Sequence, residues 1–197
     1  CLLQNAPFYR HIIDIIKEQL NLLPPSAAVA GLYARTDHTR GVWKAPANIS
    51  VNSVIKPSIS ITNAEQEGMN APGNGKSINA IRSFIGEGIK VWGARTLNGN
   101  SQDWRYINVR RTIIYLEESI KNAVRGYVFE PNDANTWVNL KSAIDNFLYS
   151  VWKQGGLVGA KAEDAYCVNI GLGSTMTSGD ILDGIMRVAV LVAVSRP

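Results

Sequence analysis

Five stretches of the sequence hold residue types whose spacing could support chemistry. Gly73-Asn74-Gly75-Lys76-Ser77 ends as a phosphate-cradling loop ends. Such a loop reads G-x-x-x-x-G-K-[ST] after a strand, because its backbone N–H groups must wrap the phosphates while the lysine reaches over them. The first glycine should stand at position 70, which is Asn70, and the preceding EQEGMNAP is no apolar strand. The stretch reads as a plain turn, and a nucleotide-binding enzyme built on 73–77 is kept only as the alternative. Gly171-Leu172-Gly173 follows a strand pattern, but the third glycine of a dinucleotide fingerprint falls on Met176 and no helix pattern begins there. Asp37 adjoins His38, yet His11 is the only other histidine and no G-x-S-x-G elbow is present. The carboxylate pairs Glu117-Glu118 and Glu163-Asp164 are sequence neighbours, so their side chains diverge and cannot flank one bond. Cys1 and Cys167 form no C-x-x-C pair, and two thiols with two histidines make no convincing zinc site. These residues point to no catalytic group, no metal and no cofactor.

The elements that would have to position any site come next. At 197 residues, 46% hydrophobic and 18% charged, the chain has the composition of an ordinary folded domain. It should bury roughly 70% of its unfolded surface and needs no staple to fold. Its longest apolar run, 185–194, is interrupted by Arg187 and is too short to span a membrane. The formal charge of +4 is spread along the sequence, with no run of four basic residues and no basic stretch interleaved with aromatics. Nucleic-acid binding therefore reads weakly, and attraction to an acidic protein surface fits the same charge. The chain begins at Cys1 rather than Met and stops at Pro197 directly after a strand pattern, so it reads as a segment of something longer.

Apolar spacing predicts helices over 8–23, 108–125 and 135–154, with Asp133 or Asn132 capping the last and Gly126 at the C′ position of the second. Pro24-Pro25 stops the first helix, and Ser26 is expected to cap a small-residue helix over 27–33. Alternation predicts strands within 48–61, at 89–94 and at 164–170, and a short helix over 78–84. The polar stretch 62–77 reads as an exposed loop or boundary, and the apolar run 185–194 as a strand buried on both faces. Helices interleaved with strands give an α/β (α+β) class, a mixed β-sheet flanked by helices. Trp43, Trp92, Trp104, Trp137 and Trp152 are an unusual number of tryptophans. Core packing accounts for most, with room for one or two at an interface.

Several blocks, taken in order, resemble a known family. Gly31-Leu32-Tyr33-Ala34-Arg35-Thr36-Asp37 and Arg40-Gly41-Val42-Trp43-Lys44-Ala45-Pro46-Ala47-Asn48 are similar to the signature of contractile phage tail-sheath proteins, also found in bacterial contractile injection systems. Ile78-Asn79-Ala80-Ile81-Arg82, Val91-Trp92-Gly93-Ala94-Arg95-Thr96-Leu97, the block 104–111 and Phe129-Glu130-Pro131-Asn132 continue the resemblance from about residue 24 to the end. The resemblance implies that 1–62 close a domain with a subtilisin-like fold and that 63–197 form the sheath C-terminal domain without its terminal arm. It implies a structural subunit and no enzyme. Copies of the subunit would stack as six-fold rings around a tail tube, add strands to neighbouring sheets, and drive the tube through an envelope on contraction. Partners would be other sheath subunits, the tube protein, baseplate and tail terminator proteins, with neither nucleic acid nor membrane insertion. The setting would be a virion tail or the bacterial cytoplasm where sheaths assemble. With both arms outside the sequence, this segment is expected to be a soluble monomer or weak oligomer. Arg95, Arg110, Arg111, Glu130 and Asn132 lie in the resembling blocks. They either brace the domain or contact neighbours; bracing is favoured, since paired charges beside strong helices are usually structural.

Overall fold

A computed structural model describes residues 6–70 and 73–197. Cys1 lies outside the described residues. Helices and strands mix as expected, but in place of one mixed sheet the named strands form two small antiparallel sheets.

The second half is organised by two long amphipathic helices, α4 (Ile107–Val124) and α5 (Ala134–Lys153) in chain order. Spacing of three, four and seven puts Leu140, Ile144, Leu148 and Val151 on one stripe of α5, all buried, facing Leu116 of α4. The Asp133 side chain accepts from the Thr136 N–H at 2.9 Å and opens α5, and Gly155, at φ 82°, turns the chain away after it. Helix α4 ends otherwise than expected: it tightens into a 3-10 turn over Arg125–Tyr127, and Gly126 is not left-handed. After the four-residue helix α6 (Ala162–Ala165), strands β4 (Tyr166–Ile170) and β5 (Val188–Val192) pair antiparallel, with Tyr166 opposite Val192 and Ile170 opposite Val188. The short helix α7 (Ser178–Leu182) lies between them.

Val168 is buried against α5, with Tyr166, Ile170, Val188, Val190 and Val192 packed on the same cluster. Only one face of this pair is covered. Leu191 is 64% exposed, so the apolar run is not a strand buried on both faces. A two-stranded sheet on one helical layer has nothing to lay over its far side, and the β-branched run records strand preference rather than two-sided burial.

The first half is built on a sheet of order β1-β3-β2, where β1 is Ile49–Ser50, β2 Ala80–Phe84 and β3 Gly88–Trp92. Ile49 pairs with Val91, and Ala80 pairs with Trp92. Leu32 of helix α2 (Ser26–Arg40) packs on Val51, Ile89 and Val91. Five sequence expectations change here. Helix α2 runs seven residues beyond 33, and Pro25 rather than Ser26 sits at its N-cap. The stretch 78–84 is mostly strand, because hairpin pairing to β3 decides a short apolar segment that periodicity leaves ambiguous.

Of the segment 48–61 only Ile49–Ser50 finds a partner, and Ile59 is exposed. The polar stretch contains helix α3 (Asn63–Asn70). Its start is a capping box: Thr62 N–H donates to Glu65 Oε2 at 2.8 Å, and Glu65 N–H donates to Thr62 Oγ1 at 3.3 Å. Helix α1 (Pro7–Asn21) buries no residue, leaving Phe8, Ile12, Ile16 and Leu20 exposed.

Candidate functional site

The two halves meet along a seam formed by the end of α2, the loop carrying Trp43, and the first turns of α4. The Asp37 carboxylate accepts two hydrogen bonds from Arg111, at 2.7 Å from Nη1 and 2.6 Å from Nη2, a fork-on-fork pair. Both side chains are partly buried, 24% and 31% exposed, so the pair is only partly screened. The guanidinium also stacks 5.4 Å from the centre of the Tyr33 ring. Hydrogen bonding to Asp37 pushes the Arg111 pKa further up, against the opposing effect of burial, while burial raises the Tyr33 hydroxyl. Beside this pair the Asn108 amide donates to the Trp43 carbonyl at 3.1 Å and the Ser195 carbonyl at 3.0 Å. One side chain thus ties the loop after α2, helix α4 and the chain end together. Trp43 packs on the core of the second half. Gly156 makes room for it: a Cβ there would come within 2.9 Å of the indole.

A second cluster lies near the N-terminal end of α4. Arg95 and Arg105 both stack on Tyr106, at 5.9 and 5.2 Å from the ring centre, and Arg110 stacks on Trp104 at 5.1 Å. Asn79 pinches the Arg95 backbone, accepting from its N–H and donating to its carbonyl, each at 2.8 Å. Arg95 also donates to the Asn70 carbonyl at 2.8 Å. None of these three guanidiniums has a carboxylate within ion-pairing distance among the described residues; nearby Asp103 contacts Arg196 at 3.4 Å. Arg105 Nε is buried without a hydrogen-bond partner. Thr96, Leu97, Asn98, Trp104 and Arg110 line an open cleft of about 370 Å³.

The five residues singled out in the sequence therefore fall in different places. Arg111 sits in the seam, and Arg95 and Arg110 in the aromatic cluster. Asn132 donates to the Ile185 carbonyl at 3.1 Å and accepts from the Trp137 indole at 2.7 Å, tying the start of α5 to the approach to β5. Glu130 is exposed at the corner after α4, with no ion pair among the described residues. Arg110 and Arg111 are neighbours in sequence and part company in space, because one residue turns a helix by about 100°. Local spacing does not single out Asp37, Trp43 or Asn108 as seam residues. Asp37 stands out in the sequence only beside His38, and its partner lies 74 positions away, a distance that local spacing does not encode.

Residues 73–77 form a turn in which Asn74 Oδ1 accepts from the Lys76 N–H and Gly75 takes φ 74°. Strand β2 follows, where a P-loop would open a helix. Gly171 and Gly173 belong to a tight loop closed by Thr175. No group of three metal-ligating side chains occurs among the described residues, and no helix there is long and apolar enough to cross a membrane.

Residues 6–97 match the family model of the phage tail sheath protein central domain, and 100–176 match the phage tail sheath C-terminal domain. The chain belongs to the contractile tail-sheath family. It is 28% identical over 152 residues to the tail sheath protein of Vibrio phage KVP40, covering 76% of this chain and 22% of the relative. To that of Burkholderia phage BcepMu it is 29% identical over 161 residues, covering 78% and 34%. Among solved structures, the sheath complex of the extracellular contractile injection system PVC, in its contracted state, superposes with TM-score 0.85. That match has 48% identity and covers 89% of this chain and 48% of that one. The contracted helical sheath of the anti-feeding prophage gives 0.82 at 49% identity, over 89% and 48%. The chain spans about a fifth to a third of the curated relatives and about half of the solved ones.

Proposed function

We propose that this chain is the working end of a structural sheath subunit, which polymerises around a tail tube and contracts without a catalytic site of its own. The observation that carries this reading is the 0.85 superposition, at 48% identity over 89% of the chain, on a sheath complex captured contracted. Its partners are other copies of the subunit, stacked as six-fold rings, together with tube, baseplate and terminator proteins. Its place is the tail of a virion or injection system, assembled in the bacterial cytoplasm. The seam supports the reading, because force applied to one packing unit reaches the other through a two-bond ion pair and a partly buried tryptophan rather than a flexible linker.

For the division of the chain we favour the gap between the two matched stretches, 98–99, over 62/63. Strand β1 at 49–50 is paired to β3 at 88–92, and a cut at 62 would open that sheet. The first stretch is then the end of the domain given a subtilisin-like fold. The experiment is expression of a full-length subunit carrying this segment, followed by negative-stain microscopy. Hollow tubes are expected. A protein that stays dispersed under assembly conditions refutes the reading.

A further inference from the structure

The corner after α4 carries an outlier. Phe129 is a bulky residue at φ 72°, in the left-handed region, and its side chain is fully exposed at 102%. A bulky non-glycine residue is disfavoured there. It stands in a turn that the Glu130 N–H closes on the Tyr127 carbonyl at 3.2 Å, and among the described residues the ring itself touches neither core cluster. Glu130 follows, exposed and without a cation among the described residues, and Val128, also exposed, precedes Phe129. The corner is a knob: an aromatic ring beside a free carboxylate.

The cleft at the other end of α4 is its chemical complement. Leu97 and Trp104 offer exposed apolar surface, and Arg110 is exposed, held on Trp104 with no carboxylate paired to it among the described residues. Stacking preorients the guanidinium fork, so that less freedom is lost when a carboxylate arrives. Arg95 and Arg105 add two further uncompensated charges behind it. Knob and cleft are separated by most of an 18-residue helix, more than about 20 Å of axis, so one copy cannot close on itself.

We propose that the Phe129–Glu130 corner of one copy docks in the Trp104–Arg110 cleft of a second, with Glu130 on Arg110 and the Phe129 ring on Leu97 and Trp104. Two different surfaces meet, so the contact is head-to-tail, the kind that builds rings or helical filaments rather than closed dimers. It deepens the sheath reading by naming residues for one contact between subunits. It rests on that reading only for the expectation that copies meet repeatedly.

The test is sedimentation velocity of this chain over a wide concentration range at low salt, with Arg110→Glu, Glu130→Arg, both together, and an equimolar mixture of the two single variants. Both positions are exposed, and circular dichroism confirms that each variant folds. Unsubstituted chain should associate with rising concentration, and each reversal should weaken association by about tenfold or more. The mixture should recover association, since opposite charges then meet at both contacts between unlike chains, and the double variant, with both charges reversed, should associate again. Phe129→Gly should weaken association while stabilising the monomer. A chain that stays monomeric, association unchanged by either reversal, or a mixture that fails to recover overturns the proposal. If Arg110→Glu leaves full-length tubes intact, this contact is wrong while the sheath reading stands. If the unsubstituted full-length subunit forms no tubes, the sheath reading fails whatever this chain does.

Discussion

Removing Asp37 tests whether the seam holds the two packing units together or merely decorates them. The pair lies between two limits. Exposed ion pairs contribute about 0.2–1 kcal/mol, and breaking a buried pair costs about 3–5 kcal/mol because a charge is stranded. With side chains 24% and 31% exposed and two bonds of 2.6 and 2.7 Å, Asp37→Ala should cost about 2 kcal/mol. Arg111→Ala loses the same bonds and the Tyr33 stack, adding about 0.5–1 kcal/mol. The double variant strands neither charge, so a double-mutant cycle should return a coupling of about 1–2 kcal/mol. Arg111→Lys keeps the charge and loses the fork, and should recover less than half of the loss. The assay is urea unfolding at neutral pH, read by tryptophan fluorescence, because Trp43 sits beside the pair. A coupling below about 0.5 kcal/mol would place the pair with exposed ones and refute a mechanical seam.

Other outcomes follow from single contacts. Thr62→Ala removes the hydroxyl that receives Glu65 N–H and should cost about 1 kcal/mol in urea unfolding, with a loss of helical signal confined to α3. Thr112 is fully buried with its hydroxyl unpartnered, so Thr112→Val should stabilise by about 1 kcal/mol; a loss would mean that the hydroxyl has a partner after all. The Asp180 carboxyl is pulled down to about 2, first by the Thr177 backbone N–H, then by the Thr177 hydroxyl and Arg187. Its folded pKa is below its unfolded one, so its stabilising effect is complete above the ordinary carboxylate range and disappears as pH falls towards 2. Amide resonances of 177–182 should report this local opening on acid titration, and in Thr177→Ala the same change should come at higher pH.

Long amphipathic helices were legible from the sequence because their information is local. The Leu140, Ile144, Leu148 stripe lies within ten residues, and of the two neighbouring caps that the sequence offers, Asp133 and Asn132, it is Asp133 that accepts from the helix. Strands were legible only as preferences. Alternation at Ile59 and Ile61 is as regular as at Ile49, yet only Ile49 meets a partner, and that partner is 42 positions away. Helix α3 does carry a local signal, the capping box Thr62-x-x-Glu65, but its polar composition and the glycines after it are equally those of a loop. The seam was hidden more deeply. Asp37–Arg111 and Asn108–Trp43 join residues 74 and 65 positions apart, and neither partner looks unusual in its own neighbourhood.

Helix α4 shows why the candidate residues resisted a single role. Arg110 and Arg111 are chemically equal and adjacent, so sequence treats them as one basic pair. The helix sends Arg111 inward, where Asp37 and Tyr33 saturate it, and leaves Arg110 outward on Trp104 with its charge unanswered. The first is bound in an intramolecular contact and cannot also grip a neighbour without opening the seam. The second has nothing to give up on meeting a carboxylate. Bracing and contact are therefore successive residues on one helix, and a load taken up at Arg110 passes through a single turn of α4 into the seam. If that coupling holds, Asp37→Ala should weaken the association that depends on Arg110 although it touches no surface of the cleft. The same substitution should leave that association unchanged if the two arginines act independently.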